Sequence, residues 1–289
     1  LKGLGRLIIA LLALLLMDKP AMGTEFPPDY IQTFTDGEVN WGTGKIVASG
    51  FSQPAQKRAN GQIIRNEALS AARQKAAHTL ADLIGGVHLS GGRTVSDKMD
   101  MEPAIAEKVG EMVRSAPVVQ QNFRTDGAVE IIIEMSLYGG FAQLILPEDI
   151  RHIEAIQPVN VIKEKPAQTA KTGDGLSPAG GLVIDARGLG VTPAMMFTVL
   201  DENGKPVYGS AYVSREYAVQ WGMAAYVRRI PRENAFPRVS PGPLVIKGLR
   251  AVGIGRTDIV ISNADAIKLK GAVENLILLR QGRVAVVLD

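Results

Sequence analysis

The sequence predicts an α+β protein made of two small α/β-layered domains, each with a mixed or antiparallel sheet and packed helices. Residues 39–147 alternate between β-branched runs and helical patterns. A tract rich in Pro, Gly and Lys follows at residues 158–180, and strand-like runs then return. The chain is therefore expected to divide into a signal peptide, a first domain, a Pro/Gly/Lys-rich linker and a second domain, at residues 1–23, 24–150, 151–180 and 181–289.

The first domain is expected to begin with a strand, because β-branched and small side chains alternate over residues 45–51. A helix follows, and Gly85-Gly86 end it. The alanine-rich face of this helix predicts close packing against a sheet. Its apolar side chains recur at helical spacing: Leu69, Ala72, Ala76, Leu80 and Leu83.

A second helix is predicted within residues 96–116, with either Ser96 or Asp100 as its cap. Two β-rich runs then meet at residues 125–127, where Asp-Gly favours the positive φ of a tight hairpin turn. The order strand, helix, helix, strand, strand describes one α+β layer. One side of the second helix carries Ile105, Val109 and Met112.

The second domain is predicted to contain a hairpin with Asn203-Gly204 at its tip and a helix with Asn263 as its cap. The last apolar run, residues 283–288, is expected to be a buried strand. Residues 214–243 form a longer insertion that contains a basic cluster and a tryptophan. Further strands are predicted at residues 182–186, 195–200, 244–252 and 258–262.

Residues 1–23 have the pattern of a secretory signal peptide. Lys2 and Arg6 precede an uninterrupted apolar core at residues 7–17, and small residues follow up to Gly23. This core is shorter than the ~17–25 residues that a transmembrane helix needs. We therefore expect cleavage near Gly23, a periplasmic mature chain without a transmembrane helix, and at most peripheral contact with a membrane. Outer-membrane association and an extracellular location are left open.

Composition excludes several classes of site. The chain has no cysteine, which excludes disulfides, thiolate metal sites, a cysteine nucleophile and a lipidated cysteine anchor. The net charge is +3, of which residues 1–23 contribute +2, so the remainder carries about +1. A nearly neutral body has no general attraction for phosphate backbones, and nucleic acid is therefore not an expected partner.

The glycine-rich segment at residues 181–196 raises the question of a nucleotide site. A dinucleotide-binding loop needs a third glycine and a helix whose amides meet the pyrophosphate. Here Gly188 and Gly190 are followed by a strand-like run and a hairpin, with no third glycine at the required place. The sequence therefore predicts a structural turn and no cofactor site.

No catalytic or metal-binding residue is assigned. His78, His88 and His152 lack the spacing of metal ligands, and a Gly-x-Ser-x-Gly nucleophile motif is absent. The carboxylate pairs Asp97/Asp100 and Glu148/Asp149 lie in polar segments where solvated side chains are the ordinary outcome. The chain is therefore predicted not to be an enzyme.

The strongest candidate for binding is the basic cluster of the insertion. Arginines interleaved with aromatic side chains can dock an anionic partner such as a lipid headgroup, a glycan or an acidic protein surface. The alternative is a solvated loop whose arginine stems cover the edge of a sheet. The candidate docking residues are Trp221, Tyr226, Arg228, Arg229, Arg232 and Arg238.

The segments GTGKIVASGFS, ALSAARQKAAHTLADLIGGVHLSGGRTVSD and DGAVEIIIEMSLYGG carry a family resemblance. Over residues 39–147 the chain resembles the LPP-twenty-like lipoprotein family and the related N-terminal domain of flagellar assembly protein T. The segments GLVIDARGLGVTPAM and TDIVISNADA of the second domain look like the C-terminal part of exported relatives of that family. The resemblance implies non-enzymatic envelope proteins, and no catalytic residue comes with it. The lipidated cysteine of that family has no counterpart here.

The expected function is that of an exported structural or interaction protein of the bacterial cell envelope, which assembles with outer-membrane or flagellar basal components and with further copies of itself. Its expected partners are therefore envelope or flagellar proteins and further copies of the chain. The alternative is a periplasmic module that binds an anionic ligand or glycan through the arginine-rich loop of residues 228–238.

Overall fold

The computed structural model describes residues 26–53, 61–148, 150, 180–232 and 234–289, with the backbone alone for residues 61–65. The predicted signal peptide and nearly all of the predicted linker lie outside these residues. The predicted fold class is confirmed, because the described chain contains two α/β regions. We call residues 26–150 the first region and residues 180–289 the second region.

The first region is built on an antiparallel sheet of five strands in the order β1-β2-β3-β7-β6, with β4 and β5 as a separate pair. Its elements in chain order are β1 (Ile31–Phe34), β2 (Gly37–Asn40), β3 (Lys45–Ser52), α1 (Gly61–Gly85), β4 (His88–Ser90), β5 (Arg93–Thr94), α2 (Val95–Met101), α3 (Pro103–Ser115), β6 (Val118–Phe123), β7 (Val129–Ser136) and α4 (Gly140–Ile145).

Helix α1 packs on strand β3 through very small residues, as the alanine-rich face predicts. Ala72 and Ala76 are fully buried, and Gly50 of β3 lies directly beneath them. A Cβ added at Gly50 would come within 2.1 Å of the Ala72 carbonyl oxygen and 2.2 Å of the Ala76 nitrogen. The absence of a side chain at Gly50 therefore allows α1 to pack this closely on β3.

The second predicted helix is two helices, α2 and α3, which is a correction of the sequence prediction. Glu102 separates them with φ −131° and ψ 86°, and Pro103 is the first residue of α3. Proline disfavours a helical conformation in the residue before it, which explains the break. The cap is also different from both predicted candidates: Thr94 caps α2.

The Thr94 cap is reciprocal. The Thr94 hydroxyl oxygen accepts a hydrogen bond from the Asp97 backbone N–H at 3.4 Å, and the Asp97 carboxylate accepts the Thr94 backbone N–H at 2.7 Å. The Thr94 hydroxyl also donates to this carboxylate at 3.0 Å. These hydrogen bonds to Thr94 hold the pKa of Asp97 below its ordinary value of 3.8.

Replacing Asp97 with asparagine is expected to lower the stability of the protein at neutral pH, because the charged acceptor is lost. The folded-state pKa of Asp97 is depressed, so its stabilising contribution is complete above the unfolded-state pKa of about 3.9 and is lost as pH falls through the folded-state value. Urea midpoints of the wild type and Asp97→Asn should therefore converge on acidification. A difference that stays constant to the lowest pH would contradict this role.

The second region is built on a mixed sheet of seven strands in the order β10-β9-β13-β12-β8-β14-β11. Strands β12, β8, β14 and β11 run parallel to one another, whereas β13 is antiparallel to β12. The elements in chain order are β8 (Leu182–Asp185), β9 (Val199–Leu200), β10 (Pro206–Tyr208), α5 (Arg215–Trp221), β11 (Ala225–Val227), β12 (Leu244–Val252), β13 (Asp258–Ile261), α6 (Asn263–Lys270), α7 (Val273–Arg280) and β14 (Val284–Val287).

Several predictions for this region are confirmed and others need correction. Strand β14 is fully buried, as predicted, because parallel pairing with β8 and β11 covers both of its edges. The predicted strand at residues 195–200 is only β9. The predicted helix after Asn263 is two helices, and Ser262 caps α6 by accepting the Asp265 N–H at 3.1 Å.

The two regions pack against each other and share one hydrophobic cluster. Residues 28–30 lie along the outer edge of β11, where Tyr30 N–H donates to the Tyr226 carbonyl at 2.9 Å and Arg228 N–H donates to the Pro28 carbonyl at 2.8 Å. The Trp41 and Tyr226 rings meet edge to face, with centroids 5.8 Å apart. The start of the first region therefore extends the sheet of the second.

Candidate functional site

The six predicted docking residues lie in different environments. Trp221 is the last residue of α5 and is 58% exposed. Arg228, Arg229 and Arg232 are exposed, Arg238 is half-buried, and Tyr226 is buried. Only part of the predicted cluster can therefore meet a partner in solution.

Tyr226 belongs to the core between the two regions. It is 2% exposed, and its hydroxyl donates to the Ala194 carbonyl at 2.9 Å and accepts the Ala194 N–H at 3.2 Å. Burial raises the pKa of Tyr226 above its ordinary value. This tyrosine holds the segment before β9 against β11 and is not placed to contact a ligand.

Arg238 is used inside the protein. Its guanidinium donates to the carbonyls of Trp221 at 2.6 Å, Gly222 at 2.7 Å and Gly282 at 3.0 Å. Burial lowers the pKa of Arg238, although the nearby Tyr138 acts in the opposite direction. Arg238 therefore fastens the C-terminal end of α5 to the turn that precedes β14.

Arg228 lies where the two regions meet. Its guanidinium donates to the backbone carbonyl of Asp289 and stacks over the Tyr30 ring at 4.7 Å from the ring centroid. It is also 3.5 Å from the Ile31 carbonyl. The Trp221 carbonyl accepts a hydrogen bond from Arg238, whereas Arg228 contacts the carbonyls of Asp289 and Ile31. These contacts do not join the six residues into one site.

Arg215 is a buried charged residue that sequence reasoning missed. Its guanidinium donates to the carbonyls of Pro147 at 2.7 Å, Gln143 at 3.0 Å and Leu146 at 3.4 Å, at the C-terminal end of α4. A cation is favourable there because the last carbonyls of a helix lack intrahelical partners. An arginine in the first turn of a short helix gives no sequence signal for this role.

The glycine-rich loop is a turn, as predicted. Gly188 and Gly190 have φ values of 75° and 61°, which glycine adopts without strain. The Gly188 N–H donates to the Asp289 carboxylate at 2.7 Å, and the Arg256 guanidinium donates to the Gly190 carbonyl at 3.2 Å. The next regular element is β9, and the polar groups of the loop bond to the protein itself.

Histidines and carboxylates do not form a metal cluster in the part of the chain that the structure describes. His78 is exposed on α1, and the Nδ1 of His88 is buried without a hydrogen-bond partner among the described residues. His152 and Asp149 lie outside the described residues. Asp100 and Glu148 are exposed.

A groove of about 800 Å³ runs between α1 and α3. We call its small and apolar lining residues the floor; they recur at helical spacing on α1 and α3, and Met99 of α2 joins them. We call its polar lining residues the rim: Ser70, Arg73, Gln74, His78 and Arg114. Arg73 donates to the carbonyls of Arg114 and Ala116, both at 3.1 Å, and so fixes this rim. The floor residues are Ala77, Ala81, Met99, Ala106, Val109, Gly110 and Val113.

Across the described helices, we find none that combines the length and the apolar character of a membrane span. In a comparison with protein families, residues 181–289 match the family model of the second domain of Treponema pallidum Tp0624. This span is the second region without its first residue, Gly180. No curated protein matches the chain.

The family match corrects the resemblance suggested by the sequence. Residues 39–147 were expected to resemble the LPP-twenty-like lipoprotein family and the N-terminal domain of flagellar assembly protein T, and the second domain was expected to resemble the C-terminal part of exported relatives of that family. The match to the Tp0624 second domain contradicts this assignment. The resemblance of the first region was based mainly on the order of its strands and helices, and element order alone does not identify a family.

Proposed function

We propose that the chain is an exported, non-enzymatic interaction protein of the bacterial cell envelope, and that it binds a helix of a partner protein in the groove between α1 and α3. The observation that carries the proposal is the groove itself. Its floor repeats at helical spacing on both sides, with Ala77 and Ala81 on α1 and Ala106 and Gly110 on α3. Small residues allow a third helix to approach closely, as in helix-in-groove recognition.

Export is supported by the sequence pattern of residues 1–23, which combines a basic start, an apolar core and small residues before the expected cleavage point. The absence of cysteine is compatible with an oxidising compartment. Fractionation of cells that express the full chain should recover the protein in the periplasmic extract with an N-terminus near Thr24. Recovery of the uncleaved chain in the cytoplasm would contradict this part of the proposal.

A role without catalysis is supported by the way ionisable groups are used. Asp97 is part of a helix cap, and the lowered pKa of Asp185 reflects its ion pair with Arg187 at 2.7 Å. The charged groups with shifted pKa values therefore have structural partners. Perturbed pKa values of this kind arise in structural networks as well as in active sites.

The groove is tested by photo-crosslinking in cells, with a photoreactive residue at Gln74 on the rim. The matched pair of variants is at Gly110, where an added Cβ would contact only the flexible Arg114 guanidinium, at 3.2 Å. Gly110→Ala is expected to leave the groove open and to raise the free energy of unfolding by up to about 1 kcal/mol, because glycine disfavours a helix interior. Gly110→Trp is expected to fill the groove.

We expect a protein adduct from Gln74 that persists in Gly110→Ala and disappears in Gly110→Trp. Urea unfolding of both variants checks that each remains folded. A photoreactive residue at Arg250, which is exposed on β12, is the positional control. An adduct that survives Gly110→Trp, or that forms equally from Arg250, would show that the groove is not the binding site.

The second candidate function is binding of an anionic ligand or glycan through the arginine-rich loop. It is favoured by the exposed Trp221 indole and by the exposed side chains of Arg229 and Arg232 in one short segment. The same crosslinking experiment, with a further photoreactive residue at Trp221, separates the two candidates. Adducts with glycan at Trp221, without protein adducts at Gln74, would favour this second function over the first.

A further inference from the structure

Within the described residues, three of the four edges of the two large sheets are protected against pairing with another chain. Residues 28–30 cover β11. Strand β10 has only three residues and begins at Pro206, which lacks an N–H and whose carbonyl accepts the Tyr212 hydroxyl at 2.8 Å and the Lys270 ammonium at 3.0 Å. At β1, the Arg228 guanidinium lies against the Ile31 carbonyl. Covered, proline-containing and charged edges are how proteins prevent edge-to-edge pairing.

Strand β6 lacks a covering segment, a proline and a charge, and its irregularity is a register shift between Val118 and Gln120 in its pairing with β7. It has six residues, VVQQNF, without proline, glycine or charge, and it forms the outer edge of the five-stranded sheet. In the part of the chain that the structure describes, no strand pairs with its outer side. Val119 and Phe123 are 53% and 60% exposed, which is unusual for apolar side chains on a free edge.

The backbone of β6 presents hydrogen-bonding groups to solvent. At the hairpin, Arg124 N–H donates to the Ala128 carbonyl at 2.9 Å, and Asn122 lies opposite Glu130. Because hydrogen-bonded pairs alternate along an antiparallel ladder, the intervening Gln121 and Phe123 direct their N–H and C=O groups away from β7. These groups are available to a further strand.

The side chains of β6 are complementary to a second copy of the same strand. Antiparallel pairing centred on Gln121 places Gln120 opposite Asn122 of the partner subunit and Phe123 next to Val119 of the partner subunit, which is the extra residue of a bulge in β6. Apolar side chains then meet apolar ones, and amides meet amides. Because the strand is uncharged, the two-fold axis brings no like charges together.

We propose that two copies of the chain pair through β6, antiparallel about a two-fold axis at Gln121, and so join their five-stranded sheets into one continuous sheet. This inference deepens the proposed function, on which it rests, by naming a second copy as one partner of an interaction protein. The groove between α1 and α3 is a separate surface, so either surface can fail while the other holds.

The test compares the mass of the exported protein in solution, by size exclusion with light scattering, with that of variants at the axis. The wild type is expected to have twice the mass of one chain. Gln121→Lys and Gln121→Glu each place two like charges together at the axis and should give single chains. A mixture of the two variants should recover the dimer, because opposite charges then face each other.

The matched control is Thr33→Lys on the edge strand β1, which should leave the dimer intact. Gln121 and Thr33 are both exposed, and thermal unfolding checks that each variant folds. The chain has no cysteine, so Gln121→Cys supplies a single thiol. Paired Cα atoms about 5.5 Å apart suit a disulfide, and oxidation should link two copies of this variant.

A wild type that remains a single chain at every concentration would overturn the proposal. A dimer that persists in Gln121→Lys would also overturn it, because the copies would then meet elsewhere. Groove adducts from Gln74 should be unchanged in Gln121→Lys. Adducts lost in Gly110→Trp together with a single-chain wild type would overturn the β6 pairing alone. A dimeric wild type together with adducts that survive Gly110→Trp would overturn the groove alone.

Discussion

Replacing Gly50 with alanine is expected to lower the free energy of unfolding by about 3 kcal/mol or more, because the new methyl group would overlap the backbone of α1. The overlapping atoms are the Ala72 carbonyl oxygen and the Ala76 nitrogen. Backbone atoms cannot rotate away as a side chain can, so the helix must move off the sheet. Urea unfolding followed by circular dichroism measures the loss.

The control for this substitution is Gly86→Ala. A Cβ at Gly86 would meet the Asp82 and Leu83 carbonyl oxygens at 3.6 Å, an ordinary contact distance. This variant is therefore expected to unfold close to the wild type. A Gly50→Ala protein as stable as Gly86→Ala would show that α1 can shift on β3 without loss, which would contradict the packing described above.

Replacing Arg215 with methionine is expected to lower the free energy of unfolding by about 3 kcal/mol, because the carbonyls of Gln143, Leu146 and Pro147 lose a shared donor. These carbonyls belong to the first region and Arg215 to the second. The substitution should therefore weaken the contact between regions as well as stability. Hydrogen exchange at α4 is expected to increase ahead of exchange at β14.

Arg250→Met is the matched control, since Arg250 is an exposed arginine on β12. Arg215→Lys should recover only part of the loss, because an ammonium group cannot reproduce the fork of the guanidinium. Uniform acceleration of exchange across both regions in Arg215→Met would contradict a local role at the junction. Unchanged exchange at α4 would do so as well.

Elements with strong local signals could be predicted from the sequence. The apolar spacing of α1, the Asp-Gly turn between β6 and β7 and the apolar run of β14 each depend on neighbouring residues alone. The loop at Gly188 was also predictable as a turn. Local signals failed where one residue outweighs a longer pattern, as Pro103 does when it divides the second predicted helix.

The candidate site was less predictable, because its chemistry depends on distant parts of the chain. Arg238 and Arg232 look alike in the sequence, yet Arg238 bonds to three carbonyls that only the fold brings near it. Because Tyr226 lies beside arginines in the sequence, it was predicted to be a docking residue, but it is buried where the two regions meet. The burial of Arg215 likewise follows from the position of α4, which no local pattern indicates.

The placement of residues 28–30 along β11 affects how the molecule can be divided. The span that matches a family, residues 181–289, leaves out the segment that covers this edge and the Trp41 ring that packs on Tyr226. A fragment that begins at residue 181 would leave the edge of β11 without residues 28–30 and the Tyr226 ring without its contact to Trp41. Such a fragment would be prone to self-association through the exposed strand. The boundary of evolutionary similarity is thus not a boundary of the folding unit, and a soluble truncation should retain residues 26–53.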